Sequence, residues 1–580
     1  MVSLGSSKVV VDVTGGRIKG KVGSKGRLTH HLGIPYAAPP VGARRWKAPA
    51  PVESWRGTKK CTSYGPGGFQ RGQGMSEFFD GVIAGIGLGR ARSKALGTAM
   101  KLMRTKESED CLTINVHAPV GSESLPVMVW IHGGDHTDGD SSMPAYNSAV
   151  LPERGCVLVT FNYRLGLMGF FAHPDLAAES PDGVSGNYGL LDQIAALEWV
   201  RDNIAGFGGD PGRVTIFGES AGGEAVLNLM TSPRARGLFH GAIAQSPSDS
   251  GRWVHLRRPA LDFSSAEEAA VGFADLAVGS GAGQIARLRE VEPDALYEVY
   301  RAHPEFGRYF YPVVDGVILP STPMSAFSGQ QQASVPLIIG YNADEASLFV
   351  DFMHPAGGEF EPPQSGEPVT IADARATWER SYPTSEQVDR LMASYPGLAT
   401  LDRSAVVAQL GDHMFGVHVD HGSRQHAAGG HPVYRYHFRA VPPSKKQTAG
   451  AFHAAEIFYV FDSALPLVPV AADAHLLARD MGDRWFAFAA TGVPDSPGRE
   501  PWPTYDPGDP KQMVFDRPRS TVQPCPPQSG LDVMRERVAW LTETLQGPVG
   551  LGAAGAAPAV AGDEPATDRT VDAIGASAGD

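Results

Sequence analysis

From Val127 onward, unbroken apolar runs alternate with helical patterns. Val127 to Ile131 and Val157 to Phe161 are continuous apolar or β-branched stretches, each of strand length. Leu191, Ile194, Leu197, Val200 and Ile204 recur at three- and four-residue intervals. That spacing predicts a helix over 190–204, ending before Gly206-Phe207-Gly208-Gly209. The strand signature returns at Val214 to Phe217, Gly241 to Gln245, Leu337 to Gly340 and Val433 to Phe438. Runs that do not alternate belong to strands buried on both faces. The pattern therefore predicts an α/β fold, a large and mostly parallel central sheet with helices on both faces. Ligands of such sheets sit at the carboxyl ends of the strands.

The ends of the chain read differently. Residues 8–22 alternate apolar and polar around Gly15-Gly16, which predicts an N-terminal β-hairpin. Dense proline and glycine over Gly33-Ile-Pro-Tyr-Ala-Ala-Pro-Pro-Val-Gly42 predicts an ordered loop. Between Cys61 and Cys111, residues 62–110 run from Gly-rich to apolar (Phe78, Phe79, Val82, Ile83, Ile86, Leu88), then basic and helical from Ala91 to Met103. Two readings stand for this segment: a lid over an apolar site, or a surface excursion with its own small packing cluster. Residues 546–580 are rich in Gly, Ala and Pro and are expected to be a disordered tail, leaving 8–545 as one large domain.

Composition removes several function classes. The formal net charge of -13 argues against a nucleic-acid-binding surface, which needs clustered Lys and Arg. No apolar run approaches the length of a membrane span, and Met1 to Lys8 lacks a signal-peptide form. A soluble, cytoplasmic protein is the expectation. Cys61, Cys111, Cys156 and Cys525 lack metal-site spacing. Asp412, His413, His418, Asp420 and His421 lack the spacing of a zinc hydrolase, so neither metal nor cofactor is expected.

The candidate chemistry centres on Val214-Thr-Ile-Phe-Gly-Glu-Ser220-Ala-Gly-Gly223, a strand running into Gly-x-Ser-x-Gly and then helix-forming residues. This is the form of a nucleophile elbow. The five-residue pattern alone decides nothing: with 69 glycines in 580 residues it should arise by chance on the order of once, and Gly575 to Gly579, around Ser577, is a second match. The strand before and the helix after single out Ser220. A serine hydroxyl needs a histidine base, and the histidine needs a carboxylate, in the chain order Ser, acid, His. His453, among small residues in Gly450 to Phe461, has the right place in that order. Asp344 and Glu345 both follow an apolar strand, and their residue types do not separate them. The strand Val127 to Ile131 ends in His132-Gly133-Gly134-Asp135, a Gly-rich strand end where oxyanion donors are expected. Trp253, Phe310, Tyr311 and Phe415 are candidate pocket walls, with core packing as the alternative.

Taken together these stretches resemble the type-B carboxylesterase and cholinesterase family of α/β-hydrolases, over roughly residues 8–545. The resemblance runs through Gly33-Ile-Pro-Tyr-Ala, Ser108-Glu-Asp-Cys-Leu-Thr-Ile-Asn115, Phe161-Asn-Tyr-Arg-Leu-Gly166 and Gly186-Asn-Tyr-Gly-Leu-Leu-Asp-Gln193. It continues through Phe207-Gly-Gly-Asp-Pro211, Gly218 to Gly223, Gly450 to Phe461, Trp485 to Pro494 and Trp502-Pro-Thr-Tyr505. It implies Ser220 as nucleophile, Glu345 rather than Asp344 as acid, His453 as base, and the N–H groups of Gly134, Asp135 and Ala221 as oxyanion donors. It also implies a disulfide between Cys61 and Cys111, which a reducing cytoplasm would oppose. Glu109 and Arg164 match a structural ion pair of the family.

The chain departs from the family pattern at three positions. Asp135 stands where a small residue is usual; either its side chain turns away or is paired by His136, or it biases the site against anionic and toward cationic acyl groups. Ala346 and Ala454 replace glycines, with only local shifts in loop shape expected. No tryptophan lies between Cys61 and Cys111, so the cation–π site that holds choline in cholinesterases is missing from that segment. The expected activity is hydrolysis of small-molecule carboxylic esters through an acyl-enzyme, with oligomeric state open. An amidase or thioesterase, or a non-catalytic binding protein on the same fold, is the alternative.

Overall fold

Strands form where the apolar runs fall. The computed structural model describes residues 9–70, 74–102, 106–248, 254–260, 263–350, 369–463, 471, 473–526 and 529–545. Among them are the strands β1 (Val10–Val13), β2 (Gly16–Lys19), β3 (Lys21–Val22), β4 (Leu28–Pro35), β5 (Thr58–Lys60), β6 (Thr113–Pro119) and β7 (Leu125–Ile131). The later strands are β8 (Val157–Phe161), β9 (Gly209–Glu219), β10 (Gly241–Gln245), β11 (Leu337–Asn342), β12 (Val433–Phe438), β13 (Lys511–Phe515) and β14 (Thr521–Pro524). The hairpin expected around Gly15-Gly16 is β1–β2, which joins β5 in a three-stranded sheet.

Among the described residues the main sheet has eleven strands in the order β14-β13-β12-β11-β10-β9-β7-β8-β6-β4-β3. From β8 to β13 every neighbouring pair is parallel. The antiparallel pairs lie toward the two edges. Successive side chains point to opposite faces, and the core divides accordingly. Val127, Val129 and Ile131 pack with Val159, Ile216 and Ile339 on one face. Met128 and Trp130 pack with Leu158, Phe217 and Ile338 on the other. Helices cover both faces, as the unbroken runs require.

Gly33 to Pro35, expected in a loop, instead end β4, which pairs antiparallel with β6 through a shift in register between His31 and Ile34. The irregularity falls at Gly33, which has a φ of 68° and donates its N–H to Asn115 Oδ1 at 2.9 Å, and pairing resumes beyond it, with Pro35 opposite Thr113. Residues 62–110 contain helices α1 (Gly74–Gly85) and α2 (Arg90–Leu102). Val82 and Ile86 pack with Leu348 and Phe452, and Thr448 and Ala449 donate their N–H groups to Gly85 O. The segment thus rests on the loop that carries His453 rather than forming a cluster of its own.

The expected pairing of Glu109 with Arg164 is replaced by two others. Arg45 grips both oxygens of Glu109, at 2.6 and 2.8 Å, while Arg164 grips Asp192, at 2.7 Å to each oxygen. Each buried guanidinium takes a carboxylate in the bidentate geometry that best offsets its desolvation. Cys61 and Cys111 are buried free thiols. The tail, with Ser577, and the stretch Met1 to Lys8 lie outside the described residues.

Candidate active site

β9 ends at Glu219, and helix α3 (Ala221–Thr231) starts two residues on. Ser220 is the single-residue corner between them, at φ 58° and ψ −126°. A serine in the left-handed half of the map costs about 1–2 kcal/mol, and such strain persists where the surroundings over-determine it. Here the Ser220 N–H donates to Gln245 O at 3.0 Å, and its carbonyl accepts from Glu224 N at 2.8 Å. A Cβ on Gly222 would collide with the Ile131 carbonyl, so the helix can approach β7 only because that residue is glycine. Ser220 is half-buried at the end of an otherwise buried strand.

His453 arrives on the loop after β12. Its Nδ1–H donates to Glu345 Oε2 at 2.6 Å, and its Nε2 lies 3.2 Å from Glu219 Oε1, beside the elbow. Glu345 Oε1 in turn accepts from Ser246 Oγ and from the Asn342 N–H, each at 2.6 Å. Glu345 therefore reaches the imidazole and Asp344 does not. Asp344 Oδ2 accepts from Ala451 N at 2.8 Å, tying down the loop on which His453 stands. Burial pulls the His453 pKa down, but Glu219 and Glu345 outweigh it and raise the pKa to about 9. Glu456 is held beneath by Gln245 Nε2 at 3.0 Å and Asn342 Nδ2 at 2.7 Å. Among the described residues Ser220 Oγ makes no hydrogen bond, as is common before substrate draws a site together.

The loop after β7 faces the elbow. A Cβ on Gly133 would fall 2.5 Å from the Glu219 carbonyl and 3.3 Å from Ser220 Cβ, so the two backbones are in contact there. Gly134, Asp135 and His136 follow with φ of 109°, 55° and 52°. Asp and His are among the side chains that tolerate this region, which is the physical reason Asp135 is accepted where a small residue is usual. Ala221, as the first residue of α3, has an N–H with no acceptor inside its helix. The Asp135 side chain is exposed and accepts from Tyr311 Oη at 2.6 Å. The expected pairing with His136 is not formed, because the turn carries the buried His136 imidazole toward Glu224, with Nε2 3.5 Å from Oε1.

Among the described residues three aromatic rings meet the His453 imidazole. Phe415 stacks on it with centroids 4.6 Å apart and planes at 28°. Phe349 meets it at 5.4 Å and 57°, and Phe78 of α1 at 6.1 Å and 87°. Of the candidate walls, Phe415 and Tyr311 thus reach the site. Phe310 is core, packed on Phe171, Phe273 and Tyr300, and Trp253 lies outside the described residues. The five residues from Asp412 to His421 do not converge: Asp412 meets Tyr341 and Tyr395, Asp420 meets Arg435, and His418 and His421 face Met324.

Ser246, Asn342, Glu219 and Glu456 are neighbours that sequence reasoning did not nominate. One signal was available for Ser246 and Asn342: they stand just after β10 and at the end of β11, the carboxyl ends at which such sheets build sites.

The family model for the carboxylesterase family matches residues 7–528. The chain is 36% identical over 505 residues to the fumonisin B1 esterase of Sphingopyxis macrogoltabida, covering 83% of each chain. It is 33% identical over 531 residues to the liver carboxylesterase of Sus scrofa, covering 86% of this chain and 88% of that one. A solved PNB esterase superposes with a TM-score of 0.72 at 29% identity, over 91% of this chain and all of its own.

Proposed function

The chain belongs to the carboxylesterase family, has the α/β-hydrolase fold and is a carboxylic ester hydrolase; on that premise we propose that Ser220 is its nucleophile, His453 its base and Glu345 the acid that orients His453. The observation that carries this assignment is the 2.6 Å bond from His453 Nδ1 to Glu345 Oε2, which leaves Nε2 on the side of Glu219, the residue next to Ser220. With Nδ1 tied to a carboxylate, Nε2 is the nitrogen that can accept the Ser220 proton.

Ser220 Oγ attacks the ester carbonyl as Nε2 takes its proton, and Glu345 offsets the charge of the imidazolium. The N–H groups of Gly134, Asp135 and Ala221 receive the developing oxyanion. Nε2 returns the proton to the leaving alkoxide. Water then attacks the acyl-serine with His453 as base, and the acid departs. Phe78, Phe349 and Phe415 give the space next to His453 apolar walls, which supports esters carrying an apolar group on that side. Helix α1 brings Phe78 to that space and α2 packs on α1, so the pair would act as its cover.

Ser220→Ala is expected to abolish hydrolysis of a short p-nitrophenyl ester, and labelling by a fluorophosphonate, while circular dichroism stays native. Retention of most of the hydrolysis would refute the assignment.

A further inference from the structure

We propose that Phe415 is a positioning residue for this hydrolysis: a π-helical turn clamped by Tyr341 and Tyr395 holds its ring flat on His453, fixing the plane of the base and stabilising it as it becomes imidazolium. The proposal deepens the triad reading above and rests on it.

The turn is the unusual element. A regular helix, Arg403–Gly411, gives way to a π-helical turn, Asp412–Gly416, before an α-helix resumes at Val417–Ala428. A π turn inserts one extra residue per turn and re-aims the side chains it carries, and such turns collect at functional sites. Two tyrosines hold this one. Tyr341 Oη donates to Asp412 Oδ1 at 3.0 Å, and Tyr395 Oη donates to Asp412 Oδ2 at 2.8 Å. A Cβ on Gly416 would stand 2.6 Å from Asp412 Oδ1, so glycine there is what lets the carboxylate fold across the turn. Tyr341 belongs to β11, the strand that runs directly into Glu345. One strand therefore carries the orienting acid and also anchors the turn that carries Phe415.

The geometry at the imidazole follows. Contacts of Nδ1 with Glu345 and of Nε2 with Glu219 hold two in-plane atoms but leave the ring free to tilt about the line that joins them. A buried phenyl face stacked at 4.6 Å removes the tilt, because turning the imidazole would drive its atoms into a packed ring. Phe349 and Phe78 meet the imidazole at 57° and 87°; Phe415, at 28°, offers the most nearly parallel face of the three. An aromatic face attracts a cation within about 6 Å. In its active form His453 is neutral and gains a positive charge as the serine proton arrives, so the ring contributes more to the transition state than to that form.

The test is the pH dependence of kcat and kcat/KM for p-nitrophenyl acetate, measured on the full chain. Glu219, Glu345 and Glu456 also face His453 and stay unchanged in every variant, so a displaced acid limb reports the ring. Phe415→Leu is expected to lower kcat roughly three- to thirtyfold, with a smaller change in KM. Its acid limb should move down by about half a pH unit or more. Phe415→Tyr should restore most of the rate and the limb, and Tyr395→Phe, which loosens the clamp and keeps the ring, should show a smaller loss in the same direction. An unmoved limb in Phe415→Leu, or equal losses in the Leu and Tyr variants, overturns the proposal. If Phe415→Leu does not fold, wild-type kcat and limb in Tyr395→Phe overturn it instead. Hydrolysis that survives Ser220→Ala brings down the triad reading and this proposal with it. Loss in Ser220→Ala beside a wild-type profile in Phe415→Leu brings down the positioning role alone.

Discussion

Tyr311 Oη donates to Asp135 Oδ2 at 2.6 Å, joining residues 176 apart in the chain. A carboxylate is thereby anchored one residue from Gly134, in the loop that touches the elbow. Its charge is expected to select against anionic acyl groups. Asp135→Asn removes the charge while keeping a side chain that tolerates the left-handed backbone. At low salt the kcat/KM for a p-nitrophenyl hemisuccinate, relative to the butyrate, should rise about three- to tenfold. The gain should shrink as salt screens the exposed group. An unchanged ratio at low salt would sink the idea that Asp135 reads acyl charge.

The setting of His453 predicts an alkaline acid limb. Glu219 and Glu345 hold its pKa at about 9 against the pull of burial. A base with a raised pKa stays protonated, and cannot accept the serine proton, until the pH passes that value. kcat/KM should therefore keep rising above pH 7, and Glu219→Gln should bring the limb down toward the ordinary histidine range near 6.5. The linked stabilisation has the opposite sense: it is fully present below about 6.5 and is lost as pH rises through about 9. A wild-type limb at or below 6.5, unmoved by Glu219→Gln, would contradict this account.

Glu345 and Asp344 are neighbours with different partners, the His453 imidazole and the Ala451 N–H. Glu345→Gln is expected to lower kcat by about three to four orders of magnitude, because the amide no longer fixes the imidazole tautomer or offsets its charge. Asp344→Asn keeps an oxygen for the Ala451 N–H, and its loss should stay under about tenfold. Steady-state kinetics on the pair decides, and the reverse ranking would move the acid to Asp344.

Ala454 keeps a left-handed backbone, at φ 68°, where the family has glycine. A residue with a Cβ is strained in that conformation. Ala454→Gly should stabilise the fold by about 0.5–1 kcal/mol, visible as a higher urea midpoint. A lower midpoint would mean that the methyl group's packing outweighs the strain.

How much of this was legible in the chain depended on the range of the interaction. β8, β10 and β12 coincide with the apolar runs read from the sequence, because burial on both faces writes itself into every residue of a strand. The corner at Ser220 was legible because strand, turn and helix signals are local. Gly33 to Pro35 were misread because pairing with β6, a long-range contact, overrode the local punctuation. The partners of Arg164, Asp135 and Glu345 were illegible for the same reason: Asp192, Tyr311 and Ser246 reach them only once the sheet is assembled.

The order of strands in the main sheet has a kinetic consequence. β7, β9, β10, β11 and β12 lie apart in sequence, and the parallel pairs between them close long loops before any contact compensates the lost entropy. Gly133, Ser220, Ser246, Glu345 and His453 come from the ends of these five strands or from the loops that follow them. A refolding chain can therefore regain most of its helix, and even one half of its sheet, while it still hydrolyses nothing. Recovery of turnover after dilution from denaturant should trail recovery of the far-ultraviolet signal, which makes turnover the stricter gauge of a finished molecule.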